Sequence, residues 1–179
     1  GENPLLLKSL ALKGGTAINL MVFDLPRLSV DIDLDFAIPC NREEMLAMRA
    51  EINREVITFM STQGYTLGQE TKNPHSLDSW IFHYRNVVNN KDNIKIEVNY
   101  SLRNHIFPLV MSSTSVNFLP MVTIQVLSPV ELFGSKIKAL IERSAPRDLY
   151  DVHRMLTMKI FHEPDFVMLR KTVLFYLAV

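Results

Sequence analysis

The chain has almost no cysteine, because Cys40 is the only one among its 179 residues. A single thiol excludes an internal disulfide, and neither a CxxC pair nor zinc-like spacing of the five histidines is present. No segment reaches the roughly 18 consecutive apolar residues that a membrane-spanning helix needs. The N-terminal segment also lacks a basic leader and a cleavage site. We therefore expect mature sequence from a cytoplasmic protein, with abrupt ends that suggest a fragment.

An excess of charge of either sign is also missing, since 19 basic residues balance 19 acidic ones. Overall charge therefore does not indicate a polyanionic partner. The one local bias lies in residues 136–159, which contain six basic and three acidic side chains. This stretch is the only candidate surface for a polyanion, although such a run is also typical of a solvated helix face.

Hydrophobic residues make up 47% of the chain, and their spacing predicts an α+β fold. Alternating residues predict a strand over 30–38 and another over 94–100, and helical spacing predicts an amphipathic helix over 42–60. Ser128 and Pro129 are typical of a helix start. Further strands are expected over 10–12, 65–67, 80–88 and 121–127. Further helices are expected over 16–23, 147–158 and 165–177, and a turn is expected at Leu25 and Pro26. We predict a mixed sheet flanked by helices in residues 1–127, and a helical C-terminal part in residues 128–179.

A glycine pair, Gly14 and Gly15, precedes one of the predicted helices. Backbone N–H groups at a helix start attract phosphate, and glycine allows the phosphate to approach closely. Thr16 is placed to cap this helix and to add a hydroxyl donor. The turn is a candidate phosphate site, although a glycine pair before a helix is often only a turn.

Carboxylates occupy every second position just after this turn, at Asp31, Asp33 and Asp35. In a strand these three side chains project from one face, where their mutual repulsion favours a divalent cation such as Mg²⁺. Glu97 lies on a second alternating strand, and pairing of the two strands would bring its carboxylate beside Asp31 and Asp33. Asp35 is the alternative third carboxylate. Acids on adjacent strands that face a phosphate-binding turn suit two-metal phosphoryl transfer, but the same geometry also serves hydrolysis.

The order of these motifs resembles the AbiEii/AbiGii toxin family of nucleotidyltransferases. The motifs are GGT, then R-x-S-x-D-x-D from Arg27 to Asp33, then Glu97, then Lys136, and finally R-D-x-x-D from Arg147 to Asp151. The family includes the MenT toxins and is related in fold to DNA polymerase beta. The resemblance covers about residues 10–156 and implies a nucleotidyltransferase-like sheet.

The resemblance also implies roles for particular residues. Gly14, Gly15 and Thr16 would hold the triphosphate, with Arg27, Ser29 and Lys136 as further nucleotide-binding residues. Asp31, Asp33 and Glu97 would bind metal, and Glu97 would also serve as general base for the acceptor hydroxyl. Asp148 matches the late aspartate of the family and would be catalytic together with Asp31, Asp33, Glu97 and Lys136. An ion pair at a helix start explains Arg147 and Asp148 equally well. Asp151 shares the face of Asp148 one turn later.

By this resemblance the chain is a metal-dependent nucleotidyltransferase, the toxin of a type IV toxin–antitoxin system. It would transfer a nucleoside monophosphate from an NTP to an acceptor hydroxyl, with release of pyrophosphate. A tRNA 3′ end is the implied acceptor, Mg²⁺ or Mn²⁺ the implied cofactor, and an antitoxin protein an implied partner. Two alternatives stay open at this stage: a noncatalytic nucleotide-binding regulatory module, and a transferase that nucleotidylates small molecules.

Overall fold

The computed structural model of the protein describes residues 3–23, 27, 29–72, 75–102, 104–114 and 121–178. Within these residues the helices are α1 Pro4–Ser9, α2 Gly14–Met21, α3 Arg42–Thr62, α4 Pro129–Arg143, α5 Pro146–Thr157 and α6 Glu163–Ala178. The strands are β1 Leu10–Lys13, β2 Ile32–Phe36, β3 Thr66–Leu67, β4 Leu77–Arg85, β5 Lys91–Asn99, β6 Val110–Ser113 and β7 Thr123–Val126. The turn expected at Leu25 and Pro26 lies outside this part of the chain. The predicted α+β class is confirmed.

The strands form one mixed sheet in the order β3-β4-β5-β2-β1-β7-β6. The central strand β2 pairs with β1 in antiparallel register and with β5 in parallel register. Parallel pairing of β2 with β5 needs a crossover connection, which here includes the long helix α3 and the β4 strand. The topology therefore places two strands that are far apart in sequence side by side at the centre of the sheet.

Several helix ends follow from short local signals. Asn41 caps α3 through a reciprocal capping box with Glu44, and Gly64 supplies a positive φ of 84° after the last turn. Ser128 caps α4 by accepting a hydrogen bond from the backbone N–H of Glu131, and Pro129 takes the first helical position. The predicted starts of α3 and α4 are confirmed.

The structure corrects the expectation for Thr16, which was predicted to cap α2. The helix already begins at Gly14, and Thr16 lies inside it and is buried. Strand β2 is also shorter than predicted and begins at Ile32, so Asp31 precedes it. Helix α1 and strand β6 were not expected from the sequence.

Two hydrophobic clusters stabilise the fold. One packs α3 against the sheet through buried residues that include Ile52, Trp80 and Val98. The other joins β1 and α2 to the C-terminal helices through residues that include Ile18 and Phe133. This second cluster draws on both sides of the predicted boundary between residues 127 and 128, and that division of the chain stays a prediction. In the described part of the chain, no helix combines the length and the apolar character needed to cross a bilayer.

Candidate active site

A cleft of about 660 Å³ lies between β2, β5, the start of α2 and the helices α4 and α5. Its volume falls in the range of small-molecule sites. Although the chain is formally neutral, seven basic side chains line the cleft against four acidic ones. The acids are Asp31, Asp33, Asp35 and Glu97, and the basic residues are Lys13, Arg27, Lys95, Lys136, Lys138, Arg143 and Arg147. Such a lining suits a ligand that carries several negative charges.

Asp33 and Glu97 are directly opposite each other on β2 and β5. The alternation of β5 explains why Glu97 faces the cleft, since Ile96 and Val98 on the other face are buried in the cluster beneath α3. The predicted strand pairing therefore exists in the structure. Asp31, just before β2, lines the same cleft.

These carboxylates influence one another electrostatically. Burial raises the pKa of Asp33, and the negative charges of Glu97 and Asp31 raise this pKa further. The positive charge of the nearby Lys13 lowers it, but does not outweigh the other effects. A divalent cation with oxygen ligands would relieve this repulsion, so the donor set fits Mg²⁺ or Mn²⁺. Across the residues that the structure describes, no three acidic, histidine or cysteine side chains already form a metal cage. Glu97 instead forms an ion pair with Lys95 at 2.9 Å.

Asp35 occupies a different environment from Glu97, although both line the cleft. Its side chain is almost fully buried, and its Oδ1 forms an ion pair with Lys13 Nζ at 2.5 Å. Burial raises the pKa of Asp35, while the charge of Lys13 and its hydrogen bond lower it. Asp35 and Glu97 therefore each have a lysine partner, and they differ in that Glu97 lies directly opposite Asp33 on the neighbouring strand.

Side chains of the R-x-S-x-D-x-D motif pack directly against the glycine pair. Gly14 has φ of 70°, and a Cβ there would lie 2.9 Å from Cβ and Cγ of Asp33 and closer still to its Oδ2. A Cβ on Gly15 would lie 2.9 Å from Ser29 Oγ and 3.2 Å from Arg27 Nη2. The GGT and R-x-S-x-D-x-D motifs are therefore in contact. A side chain at Gly14 would displace Asp33, whereas one at Gly15 would meet only the ends of two side chains.

Gly14 and Gly15 place the start of α2 at the cleft, whereas Thr16 has another partner. Lys13 precedes the helix without a capping hydrogen bond from its side chain, and Gly14 and Gly15 line the cleft. The hydroxyl of Thr16 donates instead to the backbone carbonyl of Asp31, and Thr16 is not among the residues that line the cleft. It holds the acidic segment against α2, and its predicted contact with the triphosphate stays untested.

Two fully buried acids of α5 hold three of the basic residues that line the cleft. Asp148 accepts hydrogen bonds from Lys136 Nζ at 2.9 Å and from Arg143 Nε at 2.6 Å. Asp151 accepts two hydrogen bonds from Arg27 and lies 3.3 Å from Lys136 Nζ. The five side chains form a continuous ladder of alternating charge, ordered Arg27, Asp151, Lys136, Asp148, Arg143. Neither acid lines the cleft itself, so Asp148, predicted to be catalytic, lies outside the cavity and contacts its basic residues.

Comparison with known proteins identifies the family. The family model described as "Nucleotidyl transferase AbiEii toxin, Type IV TA system" matches residues 2–179. The chain belongs to the AbiEii family. The resemblance found in the sequence is thereby confirmed. No curated protein matches the chain in sequence.

Among solved structures, this AbiEii chain is similar to MenT4, a nucleotidyltransferase toxin from Mycobacterium tuberculosis H37Rv. The two share 19% sequence identity with a TM-score of 0.65, over 94% of this chain and 56% of MenT4. At this level of identity the likeness shows the fold alone. The predicted nucleotidyltransferase-like sheet is confirmed, and this chain spans little more than half the length of MenT4.

Sequence reasoning missed several residues that line the cleft of this AbiEii protein. Lys13 directly precedes the glycine pair and could have been found from that position. Asn99 follows Glu97 by two residues on β5, so strand alternation also indicates it. The position of Tyr176 of α6 in the cleft could not be predicted from the sequence. It depends on a hydrogen bond that the Tyr176 hydroxyl donates to the buried Glu131, 45 residues earlier. Glu131 also accepts hydrogen bonds from the backbone of Ile106 and Phe107, and this fixes the segment after β5.

Proposed function

We propose that this protein is a metal-dependent nucleotidyltransferase that joins a nucleoside monophosphate from an NTP to an acceptor hydroxyl. One observation carries the proposal. Asp33 and Glu97 lie opposite each other on adjacent strands, Asp33 packs against Gly14, and all three line a cleft with more basic than acidic side chains. Membership of the AbiEii family supports the same reaction. Pyrophosphate is the expected leaving group.

Asp31, Asp33 and Glu97 are the residues that would hold the metal in this proposal. When bound, Mg²⁺ or Mn²⁺ would neutralise charge on the phosphates and lower the pKa of the attacking hydroxyl. Glu97 lies beside Asp33 and is the candidate general base for the proton of that hydroxyl. For this role Glu97 has to leave Lys95, its partner in the structure.

The triphosphate has a natural position between the start of α2 and the charge ladder. Gly14 and Gly15 present an uncapped helix start, where the helix dipole favours negative charge. Arg27, Lys136 and Arg143 line the same cleft and are fixed by hydrogen bonds to buried acids. Fixed cations stabilise developing negative charge without reorganisation, which favours transfer over simple binding.

We also propose that the acceptor is a tRNA 3′ end and that an antitoxin protein is a partner. Membership of a toxin family of type IV systems supports the antitoxin. The structure limits the basic surface available to RNA, since Lys136 is buried and Arg154 lies over the ring of Phe23. Lys138 and Arg147 line the cleft and are the candidate contacts for acceptor phosphates.

The test is incubation of the protein with Mg²⁺, total RNA and each α-labelled NTP in turn. We expect label in RNA from at least one NTP, and loss of that label by more than a hundredfold in Asp33→Asn and Glu97→Gln. Asp92→Asn is the matched control, because Asp92 is an exposed acid on the same strand as Glu97. It should transfer label like the wild type.

Three outcomes distinguish the alternatives. Undiminished transfer by folded Asp33→Asn would overturn the proposed site. Label in small hydroxylated compounds but not in RNA would favour a small-molecule transferase. Binding of NTP without any transfer, unchanged by Asp33→Asn, would favour a noncatalytic nucleotide-binding module.

A further inference from the structure

The ion pair between Arg27 and Asp151 connects two parts of the chain that are 124 residues apart. Arg27 Nε donates to Oδ1 of Asp151 at 2.9 Å, and Nη2 donates to Oδ2 at 2.6 Å. This bidentate arrangement fixes the orientation of the guanidinium plane as well as its position. Asp151 is fully buried, whereas the Arg27 side chain keeps about 20% of its surface exposed at the cleft.

The position of Arg27 matters because it touches the glycine turn. Its Nη2 lies 3.2 Å from the point where a Cβ of Gly15 would be, so the guanidinium covers the backbone at the start of α2. This is where an anion would meet the helix dipole and the N–H groups of the first turn. A guanidinium placed there adds donors to the same anion, provided that a second group holds it in place.

We propose that Asp151 is a positioning residue for triphosphate binding, acting through Arg27. Asp151 does not line the cleft, so it does not contact the ligand directly. Its other neighbour, Lys136, lies 3.3 Å away and keeps a closer bond of 2.9 Å to Asp148. Loss of the Asp151 charge therefore leaves Lys136 with a partner, while Arg27 loses the bidentate carboxylate that orients its guanidinium. The inference rests on the proposed function only in taking the ligand to be a triphosphate.

The probe that tests this inference is inorganic tripolyphosphate with Mg²⁺, titrated by calorimetry into the full chain. It has no base or sugar, so the unidentified nucleotide does not affect the result. We expect Arg27→Gln and Asp151→Asn to weaken binding by about tenfold each, as for the loss of one well-placed charged contact worth about 1.4 kcal/mol. The double variant should bind no more weakly than Arg27→Gln alone, because Asp151 acts through Arg27.

The controls separate this role from a general effect on folding. Arg54→Gln removes an exposed arginine of α3 and should bind the probe like the wild type. Thermal unfolding of each variant reports stability independently of binding. Asp151→Asn removes a fully buried charge and can unfold the chain, so Arg27→Gln, which leaves Asp151 beside Lys136, is the second variant. A role in stability alone predicts that folded Arg27→Gln binds the probe normally.

Two results would overturn the inference. One is wild-type affinity for the probe in folded Arg27→Gln or folded Asp151→Asn. The other is a double variant whose loss equals the product of the two single losses. Failure of the proposed function has a different signature, because wild-type protein would then bind tripolyphosphate yet transfer no label from any NTP.

Discussion

Gly14 shows how a single residue combines a backbone requirement with a packing requirement. Its φ of 70° lies in the left-handed region, which costs an L-residue about 1 to 2 kcal/mol. Its missing side chain also leaves room for the carboxylate of Asp33. Gly64 has a similar φ of 84° but nothing within 4 Å of the place where a Cβ would be. Gly64 therefore has only the backbone requirement, whereas Gly14 has both the backbone and the packing requirement.

We predict different effects for Gly14→Ala and Gly64→Ala. Gly64→Ala should lower the free energy of unfolding by about 1 to 2 kcal/mol and leave nucleotidyl transfer unchanged, since only the backbone is strained. Gly14→Ala should be more destabilising and should abolish transfer, because Asp33 has to move. Urea unfolding and the labelled-NTP assay measure the two effects. Equal transfer by both variants would show that the contact between Gly14 and Asp33 has no part in the site.

The predictability of each element from the sequence depended on the strength of its local pattern and on the range of its interactions. Helix α3, with 21 residues, and strand β5, with nine, show their periodicity clearly and were predicted. Helix α1 and strand β6 were not predicted, although β1 and β7, each as short as β6, were. Within the candidate site, local motifs identified the glycine turn and the acidic strand. They did not reveal that Thr16 is buried against the backbone of Asp31, since burial depends on how two motifs pack.

Helix α5 illustrates the same limit for long-range interactions. Its sequence identified Asp148 and Asp151 as a motif, but the ion pair of Asp151 with Arg27 joins residues that are 124 positions apart. Asp148 instead pairs with Lys136 and Arg143 of the preceding helix. The burial of both acids depends on these cations, because an unpaired carboxylate in the interior is strongly disfavoured.

We predict a pH-dependent stability contribution from Asp148 at the start of α5. Burial alone would raise the pKa of Asp148, but hydrogen bonds from Arg143 and Lys136 outweigh burial and lower the pKa to about 2. The pKa of an unfolded aspartate is about 3.9, so the unfolded state binds the proton more tightly. The stabilisation by ionised Asp148 is thus complete above about pH 4 and is lost as the pH falls towards 2.

The variant Asp148→Asn measures this contribution. At pH 7 it should lower the free energy of unfolding by about 3 to 5 kcal/mol, the usual cost of breaking a buried ion pair. The difference from the wild type should narrow once the pH falls below about 4. Urea unfolding between pH 7 and pH 3 tests this, with Glu163→Gln in the first turn of α6 as an exposed control. A difference that stays constant down to pH 3 would contradict the low pKa.

The whole molecule is neutral, and its charges are nevertheless distributed unevenly. Nineteen basic and nineteen acidic residues balance over the chain, whereas the cleft has seven basic and four acidic side chains in its lining. Most of the basic side chains in the cleft already have an acidic partner, as in the pairs of Lys13 with Asp35 and Lys95 with Glu97. Arg147 differs, since it is exposed, lines the cleft, and is not paired with any acid in the described part of the chain. Net charge is therefore a poor guide to the binding of a polyanion here.

We predict that Arg147 contributes to binding of the RNA acceptor and not to binding of the triphosphate. Each cation that neutralises an RNA phosphate adds to the dependence of affinity on salt, so Arg147→Gln should reduce the slope of log K against log salt by about 1. Filter binding of labelled tRNA over a range of salt concentrations measures this slope. Tripolyphosphate binding should not change, and Arg54→Gln on the exposed side of α3 should leave both quantities unchanged. If Arg147→Gln instead weakens tripolyphosphate binding and leaves the tRNA slope intact, Arg147 belongs to the nucleotide site, and the acceptor has to approach by another surface.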